Sequence, residues 1–317
     1  MRVVAIVLAV VVLGGCSGDP VEPRQPVSTT PAPTTAPTTA PPSGTATPAP
    51  PARFDATRAM RTVRHLAGRI GPRLATGPAF REAAAWVADG LAAQGYAVRR
   101  QSFPLPAGDS WGVPVRAGRS SNVIATPRDF DPVAPYALVG AHLDTVAVAP
   151  GAEDNASGVA VLLELARVLG GTGQVVLVAF GGEEPRGPGE LHHFGSKRYV
   201  AALAPAVGRQ LRAMVSLDRV GVGSVVPLSS VEGTPSALRD RLARVAEREG
   251  IPTVVETDSA SDHESFADAG FVAARIGSTP YAGYHSAADA PAVVDPAQLR
   301  RVGRLLTAWV SAALRAS

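Results

Sequence analysis

Apolar residues along this chain recur with two periods, one typical of amphipathic helices and one typical of buried strands. Apolar runs of strand length occupy residues 122–125, 136–140, 174–180, 211–217 and 271–276. Helical patterns occupy residues 55–70, 78–94, 155–169, 195–203, 236–248 and 295–309. This alternation predicts a mostly parallel sheet covered by helices on both faces.

Two helix starts carry clear capping signals. Asp55 precedes a helix whose inward face is predicted to carry Met60 and Val63. At the last helix, Asp295 is the predicted N-cap, Pro296 fills the first position, and Gln298 stands where a capping box needs it.

The N-terminal region has a different composition from the rest of the chain. Residues 1–15 carry one Arg and an apolar run that ends in small residues, which is typical of an export signal. Cys16 is the only cysteine, which excludes an intramolecular disulfide and a thiolate zinc site. Residues 16–51 are rich in Pro and Thr, and we expect a solvated linker there. Residues 52–317 are long enough for one large domain.

The sequence Leu-Gly-Gly-Cys at residues 13–16 resembles a bacterial lipobox, in which the cysteine is lipidated. The expected location is therefore the outer face of a bacterial membrane, after export, with membrane attachment only through a lipid at Cys16. The alternative is an ordinary signal peptide with an incidental cysteine. The net charge of +3 comes from scattered arginines, which argues against nucleic acid as a partner.

Polar side chains follow four of the apolar strands, and ligand sites collect at the carboxyl ends of parallel strands. The candidates are His142, Asp144, Glu183, Glu184, Asp218 and His285, joined by Asp154 at the start of the intervening helix. Imidazoles and carboxylates are the donors that zinc accepts. Two imidazoles and at least three carboxylates make five ligands, which is more than one catalytic zinc ion needs. Five ligands suit two ions that share a carboxylate.

Six motifs occur in order, namely "GAHLDTV", "PGAEDNASGVAVLLELAR", "FGGEEPRG…FGSKRYV", "VSLDRVG", "SDHESFADAG" and "YHSAAD". Together they resemble the M28 family of zinc aminopeptidases. The resemblance implies an α/β fold with a mixed, mainly parallel sheet between helices in a single catalytic domain. It also implies peptides as substrates, which are cleaved at the N-terminal bond by a water molecule held between two zinc ions. We expect a monomer.

The resemblance also implies a role for each candidate residue. His142 and Asp218 would hold one zinc ion, Glu184 and His285 the other, and Asp154 would bridge them. Glu183 would be the general base, the Asp144 carboxylate would orient the His142 imidazole, and Tyr284 would donate to the oxyanion. The peptide bond between Asp154 and Asn155 is expected to be cis.

Other features of the sequence limit this interpretation. Arg219 and the long loop at residues 185–193 depart from the family pattern and put substrate choice in doubt. A single-zinc glutaminyl cyclase and a catalytically silent binding lipoprotein stay open as alternatives. The remaining histidines are expected to stay outside the metal site, at His65, His192, His193 and His263.

Overall fold

The computed structural model describes residues 52–315. The predicted export signal, Cys16 and the linker at residues 16–51 lie outside the described residues. The helices are α1 Ala56–Val63, α2 Pro78–Ala93, α3 Gly158–Leu169, α4 Phe194–Ala201, α5 Pro205–Gly208, α6 Ala237–Arg248, α7 His263–Asp268 and α8 Pro296–Arg315. Wide helical turns at Arg64–Ile70 and Ala152–Ser157 extend α1 and precede α3, and a short 3₁₀ turn covers Pro291–Val293.

The strands are β1 Ala97–Leu105, β2 Gly108–Ser110, β3 Val113–Val115, β4 Gly118–Thr126, β5 Tyr136–His142, β6 Val175–Phe180, β7 Leu211–Leu217, β8 Val226–Ser230, β9 Thr253–Thr257 and β10 Ala273–Ile276. Eight of them form one sheet in the order β1-β4-β6-β5-β7-β10-β8-β9, and β2 pairs with β3 in a separate hairpin. Between residues 52 and 315, no helix is both long enough and apolar enough to span a bilayer.

The central sheet is mixed, and its middle is parallel. β5 pairs in parallel with β6 and β7, and β7 pairs in parallel with β10. Antiparallel pairs join β1 to β4, β4 to β6 and β10 to β8. The predicted mixed, mainly parallel sheet is confirmed. As a result, β6, β5, β7 and β10 all end at one edge of the sheet.

Side chains of the central strands alternate between two apolar cores. In β5, Val139 and Ala141 join the larger core, which α1, α2, α3, α6 and α8 cover. Tyr136 and Leu138 point the other way, into a smaller core with Tyr199 of α4 and residues of α7. Burial on both faces explains why these strands are continuous apolar runs in the sequence.

The helix starts agree with prediction at two positions and differ at one. The Asp55 carboxylate accepts from Thr57 N at 2.8 Å, and that of Asp295 accepts from Ala297 N at 2.8 Å, so both N-caps are confirmed. The capping box predicted at Gln298 is wrong. Its side chain is buried, and Nε2 donates to Val225 O at 2.9 Å, which satisfies a carbonyl beside β8 instead.

Arg73 joins the first helical segment to the loop that follows β5. Its side chain is fully buried. It donates, over 2.7–3.0 Å, to the carbonyl oxygens of Leu66, Gly71, Leu143, Pro150 and Gly151. A planar guanidinium can serve several carbonyls at once because its five N–H groups diverge in a fixed fork. Arg73 therefore fixes the path of the loop that leads to Asp154.

We expect Arg73→Met to lower the free energy of unfolding by at least about 3 kcal/mol, because several buried carbonyls lose their donor. Arg73→Lys should recover only part of this loss, since an ammonium cannot reproduce the fork. Urea unfolding followed by circular dichroism measures both changes. The control is Arg81→Met, since exposed Arg81 makes one bond to Thr76 O at 3.0 Å and its loss should cost under about 0.5 kcal/mol. Equal stability of Arg73→Met and Arg81→Met would contradict the role of Arg73.

Candidate metal centre

The predicted site residues meet at the sheet edge where the parallel strands end. His142 is the last residue of β5, Glu183 and Glu184 follow β6, Asp218 follows β7, and His285 lies in the loop after β10. Asp154 comes from the turn before α3. These six residues line one pocket of about 300 Å³, together with Tyr284.

The donor atoms in the pocket form two groups that share Asp154. His142 Nε2 lies 3.1 Å from Asp154 Oδ1 and 3.6 Å from Asp218 Oδ1. His285 Nε2 lies 3.1 Å from Asp154 Oδ2 and 3.4 Å from Glu184 Oε2. One oxygen of the Asp154 carboxylate therefore faces each histidine.

These residues fit two zinc ions. Donors held 2.0–2.1 Å from a tetrahedral zinc ion lie about 3.4 Å apart, which the four measured separations bracket. Asp218 Oδ1 and Glu184 Oε1 are buried and have no hydrogen-bond partner among the described residues. Buried carboxylate oxygens without a donor are costly unless a cation neutralises them.

The pKa shifts in the pocket show an excess of negative charge. Burial raises the pKa of Glu184, and the charges of Asp154 and Glu183 raise it further. Burial lowers the pKa of His142, but the surrounding carboxylates outweigh that effect and raise it well above its usual range. Burial raises the pKa of Asp154, yet hydrogen bonds from His142 and His285 bring it far below its ordinary value. The pocket thus favours bound positive charge.

Asp154 is held by backbone and side-chain contacts on both sides. The Asp289 carboxylate accepts from Glu153 N at 2.8 Å and from Asp154 N at 3.1 Å. Asn155 Nδ2 donates to Leu217 O at 2.8 Å. The Asp154–Asn155 peptide is cis, so this prediction is confirmed. Asp289 is the last residue of the "YHSAAD" motif, and the sequence analysis assigned it no role. Its place in the motif could have indicated that it belongs to the site.

Asp144 contacts both the histidine and the glutamates. His142 Nδ1 lies 3.2 Å from the backbone carbonyl oxygen of Asp144. The Asp144 carboxylate accepts from Glu183 N and from Glu184 N, at 3.2 Å each. The Asp144 carbonyl, and not its carboxylate as predicted, therefore contacts the imidazole, because the carboxylate accepts from the turn that carries Glu183 and Glu184.

Aromatic and cationic side chains form the rim of the pocket. The Tyr284 ring stacks on His285 at 3.7 Å between centroids, and Arg219 Cζ lies over the Tyr284 ring, 4.5 Å from its centroid. Trp111, at the tip of the β2–β3 hairpin, meets the His285 ring edge-on at 4.4 Å. Arg219 also lines this pocket, as do Pro185, His192 and His193 from the 185–193 loop.

Sequence reasoning missed His193. It is buried, with Nε2 3.1 Å from Glu183 Oε1 and Nδ1 3.0 Å from Glu264 Oε2. Burial lowers the pKa of His193, but the two neighbouring glutamates outweigh this effect and raise the pKa to about 10. His65 stacks on Trp86 and does not line this pocket.

Comparison with known proteins gives a consistent match. The model of peptidase family M28 matches residues 122–310. Aminopeptidase YwaD from Bacillus subtilis is 31% identical over 191 residues, which are 56% of this chain and 41% of YwaD. Probable lipoprotein aminopeptidase LpqL from Mycobacterium tuberculosis is 37% identical over 112 residues, 34% of this chain and 21% of LpqL. The chain therefore aligns with less than half the length of either relative.

Two solved structures share the fold. The zinc aminopeptidase BSAP from Bacillus subtilis superimposes with a TM-score of 0.73 at 20% identity, over 82% of this chain and 95% of its own. Porphyromonas gingivalis glutaminyl cyclase superimposes with a TM-score of 0.72 at 24% identity, over 82% of this chain and 99% of its own.

Removal of divalent metal should destabilise the folded chain. Because the pocket concentrates carboxylates, we expect exhaustive chelation to lower the melting temperature by at least about 5 °C, and zinc to restore it. Magnesium should not restore it, since that ion prefers all-oxygen ligands. Scanning fluorimetry together with metal analysis measures both effects. An unchanged melting temperature after verified metal removal would contradict the metal centre.

Proposed function

The chain belongs to peptidase family M28, and we propose that it is a zinc-dependent aminopeptidase that hydrolyses the N-terminal peptide bond of peptides. The observation that carries the proposal is the pair of donor groups that share Asp154, with His142 and Asp218 on one side and Glu184 and His285 on the other. The aminopeptidase names of the curated relatives support the choice of reaction.

In this proposal the two zinc ions, when bound, would polarise the scissile carbonyl and lower the pKa of the attacking water. Glu183 takes a proton from that water and returns it to the leaving amine. Its carboxylate lies 3.9 Å from His142 Nε2, which places it beside the donor groups. Asp144 holds the backbone that aims both glutamates. Tyr284 stands at the rim, where a hydroxyl donor can stabilise a developing oxyanion.

The two adjacent glutamates give the sharpest test of these roles. Glu183→Gln keeps the shape but cannot take a proton, so kcat for an aminoacyl-anilide should fall by at least about 100-fold while two zinc ions stay bound. Glu184→Gln weakens zinc binding instead, and excess zinc should restore part of the activity. Steady-state kinetics and metal analysis measure both.

Glu190→Gln is the matched control. Glu190 lies in the same loop, is exposed, and pairs with Lys197 at 2.7 Å, so its exchange should leave kcat and zinc content unchanged. If Glu183→Gln loses zinc and Glu184→Gln keeps it, the two roles are reversed. If neither exchange alters turnover, the peptidase proposal fails.

Two other functions are possible for this fold, and the number of zinc ions bound per chain distinguishes them. A glutaminyl cyclase would hold one zinc ion per chain, a silent binding protein would hold none, and the proposed aminopeptidase would hold two. The chain carries every proposed ligand and the proposed base, which favours the aminopeptidase. The tyrosine at position 284 favours the same choice, since cyclases of the family usually have Trp before the last histidine.

We also propose that the protein is an exported lipoprotein anchored through Cys16. The Leu-Gly-Gly-Cys sequence supports the anchor, as does the lipoprotein name of the mycobacterial relative. Cys16→Ala should move the protein from the membrane fraction to the soluble fraction while peptidase activity survives. Fractionation and immunoblotting of a bacterial host measure the change. An unaltered distribution would contradict lipid attachment at Cys16.

A further inference from the structure

The loop that departs from the family pattern delivers a histidine to the proposed general base. His193 N donates to Glu183 O at 2.9 Å, and Phe194 N donates to Gly182 O at 2.8 Å, so the end of the loop is tied to the backbone around the base. His193 adopts φ 54°, in the left-handed region, and its side chain is buried. A non-glycine residue held in this region is costly and collects at functional sites.

The imidazole bridges two carboxylates. Nε2 lies 3.1 Å from Glu183 Oε1, and Nδ1 lies 3.0 Å from Glu264 Oε2 in the first turn of α7. These are ion-pair distances, and His193 Nδ1 makes no hydrogen bond of good geometry among the described residues. Two carboxylates this close to one imidazole favour its cationic form, with a proton on both nitrogens, and the two ionic contacts restrain the ring at both ends. Glu264 therefore sets the position of His193, and His193 in turn restrains one oxygen of Glu183.

We propose that His193 is a positioning residue that holds the Glu183 carboxylate in the orientation for proton transfer. The proposal rests on the proposed role of Glu183 as general base. A general base must keep its accepting oxygen within hydrogen-bond reach of the proton it abstracts, and small misplacements are costly in rate. With Oε1 restrained by His193, Oε2 is the oxygen that faces His142 and the donor groups.

A competing explanation uses the same residues. His192, His193 and Glu264 each offer a donor atom, and these atoms lie within 4.8 Å of one another, so the group could hold a metal ion. His192 Nδ1 lies 3.8 Å from Glu264 Oε2, farther than His193 Nδ1. If this group held a metal ion, His193 Nδ1 would be a metal ligand and would not donate to Glu264. The variants of His193 distinguish the two cases.

Two amide variants distinguish the effect of the His193–Glu183 contact from the effect of the left-handed backbone at residue 193. His193→Asn suits the left-handed backbone, but its amide is too short to reach Glu183. Gln is longer by one methylene and can place an N–H donor near the position of Nε2. We expect His193→Asn to lower kcat by about 10- to 100-fold, as for loss of one hydrogen bond to a charged group, with KM within about twofold and two zinc ions bound. His193→Gln should recover most of the loss, and the remote His65→Gln should change nothing.

A double-variant cycle tests whether His193 acts through Glu183. In the Glu183→Gln background, His193→Asn should lower kcat no further, since the base is already lost. A full additional loss in that background would overturn the positioning role. So would a third zinc ion in the unaltered protein that His193→Asn removes, because His193 would then be a metal ligand.

A spectroscopic readout keeps this inference separate from the proposed function. In the ¹⁵N-labelled zinc-loaded protein, both ring N–H signals of His193 should be protected from solvent exchange. Glu183→Gln should shift one signal, Glu264→Gln the other, and Glu190→Gln neither. Failure of either ring signal to respond would overturn the proposed contacts. If the protein cleaves no peptide while both signals respond, the peptidase proposal and the catalytic role of His193 fail and only the bridge stands.

Discussion

Four buried carboxylates line one pocket and a fifth, that of Asp144, is buried beside it, and the surrounding structure compensates for the free energy that burying them costs. Asp144, Asp154, Glu183, Glu184 and Asp218 are each at most 7% exposed. Removing like charges from water is unfavourable unless each finds donors or cations. Backbone N–H groups donate to the Asp144 carboxylate, and histidines face Asp154, but Glu184 Oε1 and Asp218 Oδ1 accept no hydrogen bond among the described residues. Bound divalent cation would neutralise these oxygens, and for that reason we expect metal binding to stabilise the fold.

Regular strands and irregular turns contribute differently to this site. Parallel strands β6, β5 and β7 end side by side, which brings residues distant in sequence together without a long connection. The turns between them supply N–H donors and tight bends. Gly277 shows the close fit, since it has φ 115° and a β-carbon at this position would lie 2.1 Å from the Asp218 carbonyl oxygen, so no side chain could be accommodated.

The sequence predicted the centre of the fold better than its edges. The run at residues 211–217 coincides with β7, because a strand buried on both faces is a continuous apolar segment. β9 was missed, since Thr253–Thr257 is an edge strand whose residues are partly or fully exposed and carry little apolar signal. β8 was missed as well, and its sequence, VPLSS, contains a proline and two serines. Gln298 shows the same limit, because a capping motif cannot indicate that a distant carbonyl competes for the side chain.

The site residues also differ in how well the sequence predicts them. The proposed ligands stand at strand ends, where a motif fixes both residue and position, so the sequence could group them. His193 could not be grouped with them, because its loop has no periodicity and its partner Glu264 belongs to a distant helix. Within residues 52–315, five non-glycine residues have positive φ, and Trp111, His193, Arg219 and His285 among them line the pocket. Arg219 contacts both the Asp218 carboxylate, at 3.7 Å, and the Tyr284 ring, so one side chain connects the aromatic rim of the pocket to the donor groups.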